Sequence, residues 1–280
     1  MLGKCLKHEW VETWFIGLAC CASVILVSVL IMFILPTFPK LADSDVGVYV
    51  LPILILTLTI IGIAAVAGAL FIGKYFFFYR YYKNLFTDQG YLMHTLPVET
   101  QDLVHSKLIV ALIWQYLLAI SYGVAIFFGS IGVYGLFNDD FTDYYDFLNG
   151  LREVFGFVFD VGKPEIALFA LCMLLYPIMD MLFCFLAVAI GQLGKKNRFV
   201  LAICALVGIS FVQRFAMNIV SAVSAVLNIF FGINFRMDTV EDVTAQYDIM
   251  LVLFLIIEVV AIVGAYLWNM HLVKNKLNLE

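Results

Sequence analysis

The chain has 280 residues, of which 64% are hydrophobic and 13% charged, and a net charge of −5; soluble domains average about half apolar and about a quarter charged. A water-soluble fold of this length needs more charged surface and breaks its apolar residues into short amphipathic runs, so an ordinary globular enzyme is excluded. The 26 Phe, 14 Tyr and 4 Trp exclude disorder, and 6 Pro with 6 scattered Cys exclude collagen or a disulfide scaffold.

The bilayer is therefore the expected solvent, and the elements follow in chain order. Residues 1–13 (MLGKCLKHEWVET) mix basic and apolar residues at helical spacing. They fit either a helix lying on the membrane surface before the chain turns into the first span, or a polar lead-in. A spanning helix needs about 20 mostly apolar residues. Six stretches qualify: 14–35, 50–73, 108–136, 166–193, 199–231 and 249–270. The fifth is long enough to be tilted or broken. Backbone groups in lipid must be satisfied internally and barrel-type alternation is absent, so the fold class is all-α and polytopic, one transmembrane domain over 1–280. The first span is too long for a signal-peptide core, lacks a small-residue cleavage site and precedes five more, so no cleavage is expected.

Positively charged loops stay cytoplasmic. With the N-terminus inside, Lys4, Lys7, Lys74, Arg80, Lys83, Lys107, Lys195, Lys196, Arg198, Lys274 and Lys276 fall on the inner side. Lys40, Arg152, Lys163 and Arg236 fall outside, and Arg214 lies within a span. Both termini are expected in the cytoplasm, with the acidic residues of 138–165 and 238–248 external. Nothing in this balance points to nucleic acid.

The longest inner connection, 74–107, opens with an aromatic and basic stretch that can prolong the second helix. Within it, Thr87 or Asp88 can cap a short helix over 87–96, Tyr91, Leu92 and Leu96 supply an apolar stripe, and Pro97 ends it. Such a helix suits docking of a soluble partner or simply lies at the interface. Outside, 138–163 interleaves carboxylates with Phe141, Tyr144, Tyr145, Phe147, Leu148 and Phe155. That pattern predicts one or two short helices on the outer interface. No internal repeat is apparent, which weakens an inverted-repeat secondary transporter.

Two motifs mimic chemistry. Residues 68–74 read GALFIGK, the opening of a phosphate-binding loop, but they close an apolar span and Tyr75 stands where a Ser or Thr would hold magnesium. Gly62, Ala64, Ala65, Gly68, Ala69 and Gly73 are better read as small-residue faces for close helix packing. HEWVE at 8–12 ends in Glu where a zinc-protease motif needs His. No Cys/His spacing suits zinc, disulfides are not expected, and no nucleophile elbow or Ser/His/Asp set appears, so no catalytic, cofactor or metal site is expected in this chain. Ionisable residues inside spans are costly and functional suspects. At about 1.5 Å per residue, Asp180 and Arg214 lie about 20 and 24 Å in from the inner side, measured from Lys195 and Arg198, and Glu258 about 15 Å in from the outer side, measured from Asp248, all near one depth. Arg214 is expected to pair with Asp180, Glu258 or both, as a clamp between the last three helices or as part of a substrate path or proton relay.

The opening MLGKCLKHEW with its following span, and the inner loop KNLFTDQGYLMHTLPVETQDLVHSKLIVALIW, resemble the permease subunits of type 2 (ABC-2) ABC exporters, particularly those of Gram-positive bacteria. Gly90, Leu96, Pro97, Val98, Ser106 and Lys107 carry the match. The resemblance implies a multi-pass protein of a bacterial plasma membrane, with an N-terminal elbow helix and a coupling helix over 87–96. Asp88, Tyr91, Leu92, His94 and Leu96 would pass on the motion of a separately encoded ATPase that holds the ATP and Mg. It implies a second permease copy or a paralogous permease as partner, lipids around both, and a path lined mainly by the first, second and fifth helices. The cargo would be amphipathic: a peptide, lipid or drug. One departure is that the larger external insert follows the third span, where family members often carry theirs between the fifth and sixth; substrate capture and contact with the partner permease are both open to it. A second function class is an ion-coupled secondary transporter or channel using Asp180, Arg214 and Glu258; a third is a scaffold without transport.

Overall fold

A backbone surrounded by lipid must bond its own N–H and C=O groups, and uninterrupted apolar runs do so as long helices. The structure, a computed structural model, describes residues 2–37, 47–87, 90, 98–137, 148–150, 152–153, 156, 163–194, 197–230 and 240–275. Six long helices account for most of them: α1 (Leu2–Ile34), α2 (Gly47–Phe86), α3 (Thr100–Phe137), α4 (Lys163–Gly191), α5 (Arg198–Phe230) and α6 (Val240–Asn275). A 3₁₀ turn, Leu35–Thr37, follows α1. All six are long and apolar enough to cross a membrane, so the chain has the all-α architecture of a polytopic membrane protein.

The helices outrun the apolar stretches that announce them. At about 1.5 Å per residue, the 40 residues of α2 reach about 60 Å, twice the hydrocarbon core of about 30 Å. Its extension is the aromatic and basic stretch after Gly73. The turn expected near Thr13 does not occur: α1 is one unbroken helix from Leu2, with no Pro in it. The reason is local, because the expected elbow is packed along α3 through Trp10, Thr13 and Gly17, described below. The fifth helix is likewise unbroken over its 33 residues.

The chain forms two compact units, one of Met1–Cys5, Phe78–Leu112 and Gly156–Glu280, the other of Leu6–Phe77 and Ile113–Phe155. In the first, α4 packs on both α5 and α6, and α5 on α6. Half of the apolar window of α4 is buried, against 11% for α5 and for α6, which makes α4 the core helix. Its residues Met181, Cys184, Ala187 and Val188 are fully inaccessible. The α4–α5 approach needs a glycine: a Cβ on Gly191 would stand 2.5 Å from the Ala202 Cβ and 2.7 Å from its Cα and N. Gly191→Val is therefore expected to cost about 1–3 kcal/mol as an overpacked contact, read as a lower thermal midpoint. Ala202→Gly should not rescue it, because the backbone atoms of residue 202 remain in the way. After the turn, Asn197 takes a left-handed φ of 52° that Asn tolerates better than most residues, and its carbonyl accepts from the Leu201 N–H.

In the second unit, Cys20, Val24, Ala69 and Leu118 form a buried cluster, with Ile16, Cys21, Tyr122 and Ala125 against it. All six cysteines of the chain are free thiols. GALFIGK lies inside α2, where the N–H groups that would cradle a phosphate are committed to helical bonds. Of its glycines, Gly73 packs on Leu118 and its carbonyl accepts from Gln115 Nε2 at 3.1 Å, while Gly68 faces open space.

Candidate functional site

Two places in the fold have properties beyond packing, one in each unit. The first is a cleft among α1, α2 and α3. At one end α1 is fastened to α3 by Trp114, whose Nε1–H donates to Thr13 Oγ1 at 3.1 Å and whose ring stacks on Trp10 at 4.9 Å and 12°. Gly17 lies flat on the same indole, because any Cβ there would overlap the ring. Tyr122 donates from α3 to the Val66 carbonyl of α2 at 3.2 Å. Towards the other end Gly132 lets α3 approach α1 closely, since a Cβ there would lie 2.9 Å from Met32 Cα.

Between these contacts the helices part into an open apolar cleft of about 1110 Å³. Small residues create the room: Gly62 and Ala67 on α2, and Ala125 and Gly129 on α3, face Val24 to Leu35 of α1. The resemblance implies a path lined by the first, second and fifth helices; this cleft has the first two and takes α3 as its third wall. Of the small residues of α2 that the sequence singles out, only Gly62 lines the cleft, whose shape depends on which residues of α1 and α3 stand opposite.

The second place is Glu258. It is fully buried on α6, and neither carboxylate oxygen has a hydrogen-bond partner among the described residues. The pairing expected with Arg214 is absent. Arg214 is exposed on α5, amid exposed Phe211, Val212 and Phe215, and no ion pair joins it to Glu258. The physical reason is rotation. Ala202, Leu206, Val220 and Ser224 mark the buried stripe of α5, and at about 100° per residue Arg214 points about 100° away from it. Asp180, half-buried on α4, has interactions of its own. The structure thus places the three intramembrane ionisable residues without joining Arg214 to Glu258.

Sequence reading missed two polar ties around α6. Asn269 Nδ2 lies 3.3 Å from Tyr81 Oη and donates to it, Asn269 Oδ1 stands 3.4 Å from the same hydroxyl, and the Tyr81 ring stacks on Phe185 at 3.9 Å and 4°. His105 Nε2 and Tyr266 Oη share a hydrogen bond of 2.9 Å with their rings parallel. The end of α2 and the start of α3, which flank the connection 87–99, are therefore both bonded to α6. The signal for it was a single Asn and a single His in apolar helices, too little to choose partners.

Of the residues expected to dock a partner, Asp88, Tyr91, Leu92, His94 and Leu96 lie outside the described residues, as do Pro97 and most of 138–163. The Thr87 hydroxyl donates back to the Lys83 carbonyl at 2.6 Å at the end of α2, and the rest of the helix expected over 87–96 lies, apart from Gly90, outside the described residues. Gly90 N–H donates to the Thr87 carbonyl at 2.7 Å, and Gly90 is seated so tightly on the Leu85 backbone that a side chain there would strike it. Ser106 and Lys107 are buried in the first turns of α3, the serine donating to the Leu103 carbonyl at 2.9 Å. In α1, His8 and Glu12 approach to 3.5 Å as an i, i+4 pair. No group of three metal-binding side chains occurs among the described residues. Comparison with models of protein families, with curated proteins and with solved structures finds no match.

Proposed function

We propose that the chain is the membrane-spanning permease subunit of an ATP-driven exporter, with both termini in the cytoplasm of a bacterium and a separately encoded ATPase acting on the connection between α2 and α3. The observation that carries this reading is how that connection is mounted. It is held between two helix ends that both bond to α6, through Tyr81–Asn269 and His105–Tyr266. Force applied to those helix ends would reach the α4–α6 core through these bonds. Gly90, Val98, Ser106 and Lys107, which carry the resemblance, frame the same segment, and the cargo is proposed as an amphipathic peptide, lipid or drug. ATP and Mg belong to the ATPase, and a second permease copy or a paralogue would complete the assembly.

The test is purification from native membranes followed by reconstitution. The chain should bring down an ATPase, and Tyr91→Asp with Leu92→Asp should release that ATPase and abolish ATP-dependent export while leaving the permease folded. Export that persists without ATP would overturn the reading. Glu258, whose carboxylate has no hydrogen-bond partner among the described residues, favours a second one, an ion-coupled carrier, in which transport follows the membrane potential, ignores ATP and is lost in Glu258→Gln.

A further inference from the structure

The cleft among α1, α2 and α3 can be assigned an occupant from its chemistry and its length. Its walls hold hydroxyls but no charged side chain, and three of the four hydroxyls donate within the protein. Ser28 donates to the Ile25 carbonyl at 2.7 Å, Ser130 to the Phe127 carbonyl at 2.8 Å, and Tyr122 across to Val66. Tyr134, the remaining one, has an interaction of its own. A polar group entering the cleft would give up its bonds to water and receive few in return. Hydrocarbon incurs no such penalty.

Length narrows the choice. The lining runs from residue 24 to 35 on α1 and from 122 to 134 on α3, about 16 and 18 Å at about 1.5 Å per residue. That is about half of the roughly 30 Å hydrocarbon core, the depth of one leaflet. A helix from another protein or a second copy would cross the whole core, and with its side chains is about 10 Å wide. A groove one leaflet long, narrowed at Gly132 and fastened at Trp114, is matched instead by a chain that itself ends at mid-membrane.

We infer that this cleft is a binding groove for an acyl chain of a bilayer glycerophospholipid, lying along α1 and α3 with the headgroup outside the groove. The site does not depend on the ATPase, so it stands or falls separately from the export reading. Gly129 supplies the means to test it, because a Cβ there meets nothing within 4 Å and a larger side chain would grow into the groove without striking backbone. Gly123, also on α3 and also open, is outside the lining and serves as the control.

The full chain would be reconstituted in vesicles of phosphatidylcholine and phosphatidylglycerol, a fraction of which carries a photoactivatable diazirine on one acyl chain, with no cargo present. After irradiation, adducts are mapped by mass spectrometry. Labelling per residue on the walls, at Ala67, Ile126 and Val133, should exceed by about fivefold that on Phe211 and Phe230 of α5, which are exposed and report ordinary surrounding lipid. Gly129→Leu should abolish this excess while leaving the α5 adducts and the thermal midpoint unchanged, and Gly123→Leu should change neither. Wall labelling equal to that of α5, or an excess that survives Gly129→Leu, would overturn the assignment. So would efficient disulfide formation between copies carrying Ile126→Cys, which would show the groove covered by a second chain.

Discussion

Trp114→Ala should detach the N-terminal half of α1 from α3 and lower the stability of the unit by about 3–5 kcal/mol, the range for removing a buried Trp. Helix association in lipid gains little from the hydrophobic effect and rests on packing and on interhelical hydrogen bonds. Trp114 provides both: it is 5% exposed, stacks on Trp10, donates to Thr13 and fills the hollow over Gly17. The three contributions are separable. Trp114→Phe keeps a ring but loses the donor and should cost about 0.5–1.5 kcal/mol on account of the hydrogen bond. Gly17→Ala drives a methyl into the indole and should be severe in the wild-type chain yet nearly harmless in Trp114→Ala, a non-additivity expected only of residues in direct contact. Denaturant titration of the four variants in detergent, with proteolysis of residues 2–13 as a second readout, measures the cycle. Equal costs for Gly17→Ala in both backgrounds would show that the indole is not what the glycine accommodates.

Trp10 and Trp114 illustrate which parts of this molecule can be read along the chain. Existence and order of the helices follow from runs of about 20 apolar residues, because the bilayer sets that length and nothing else in the sequence competes with it. Helix ends are less legible. Residues 2–13 have the composition of an interfacial helix, but the partner that keeps them in line with the span is Trp114, about a hundred positions away. The intramembrane charges show the same division. Rise along the helix places Asp180, Arg214 and Glu258 at one depth, whereas pairing also requires that they face one another. The rotation was present in the sequence: Ala202, Leu206, Val220 and Ser224 recur at helical spacing, and Arg214 falls off their stripe. What identified that stripe as the buried one was the packing of α5 on α4 and α6, which no single helix encodes when all its faces are apolar. The cleft was illegible for a related reason, since an empty volume is defined by what three helices leave unfilled.

Glu258→Leu should stabilise the protein, by about 1–3 kcal/mol, and Glu258→Lys should prevent its folding. Glu258 falls on the stripe of α6 that also carries Ala265, Asn269 and Leu272, all buried, so its side chain has no route to water by rotation of its own bonds. Both carboxylate oxygens are orphaned among the described residues, and an unsatisfied buried polar group costs about 1–3 kcal/mol. An apolar side chain of similar volume removes that penalty, as replacement of buried ionic groups by hydrophobic ones often does. Glu258→Gln retains two orphaned polar atoms and should sit near the wild type. A lysine carries an ammonium to the same buried place, where the carboxylate it replaces has no hydrogen-bond partner among the described residues, and should cost more than about 3–5 kcal/mol. Thermal midpoints of the four proteins in one detergent test the order Leu above Glu and Gln, with Lys unfolded. Leu below Glu would mean that the carboxylate has a partner in the folded protein, and the orphan would be refuted. A Leu variant that is more stable but no longer transports would separate the two roles of the residue: an acid kept at a cost in stability is kept for what it binds, and whether the lost transport had followed ATP or the membrane potential then decides between the two readings.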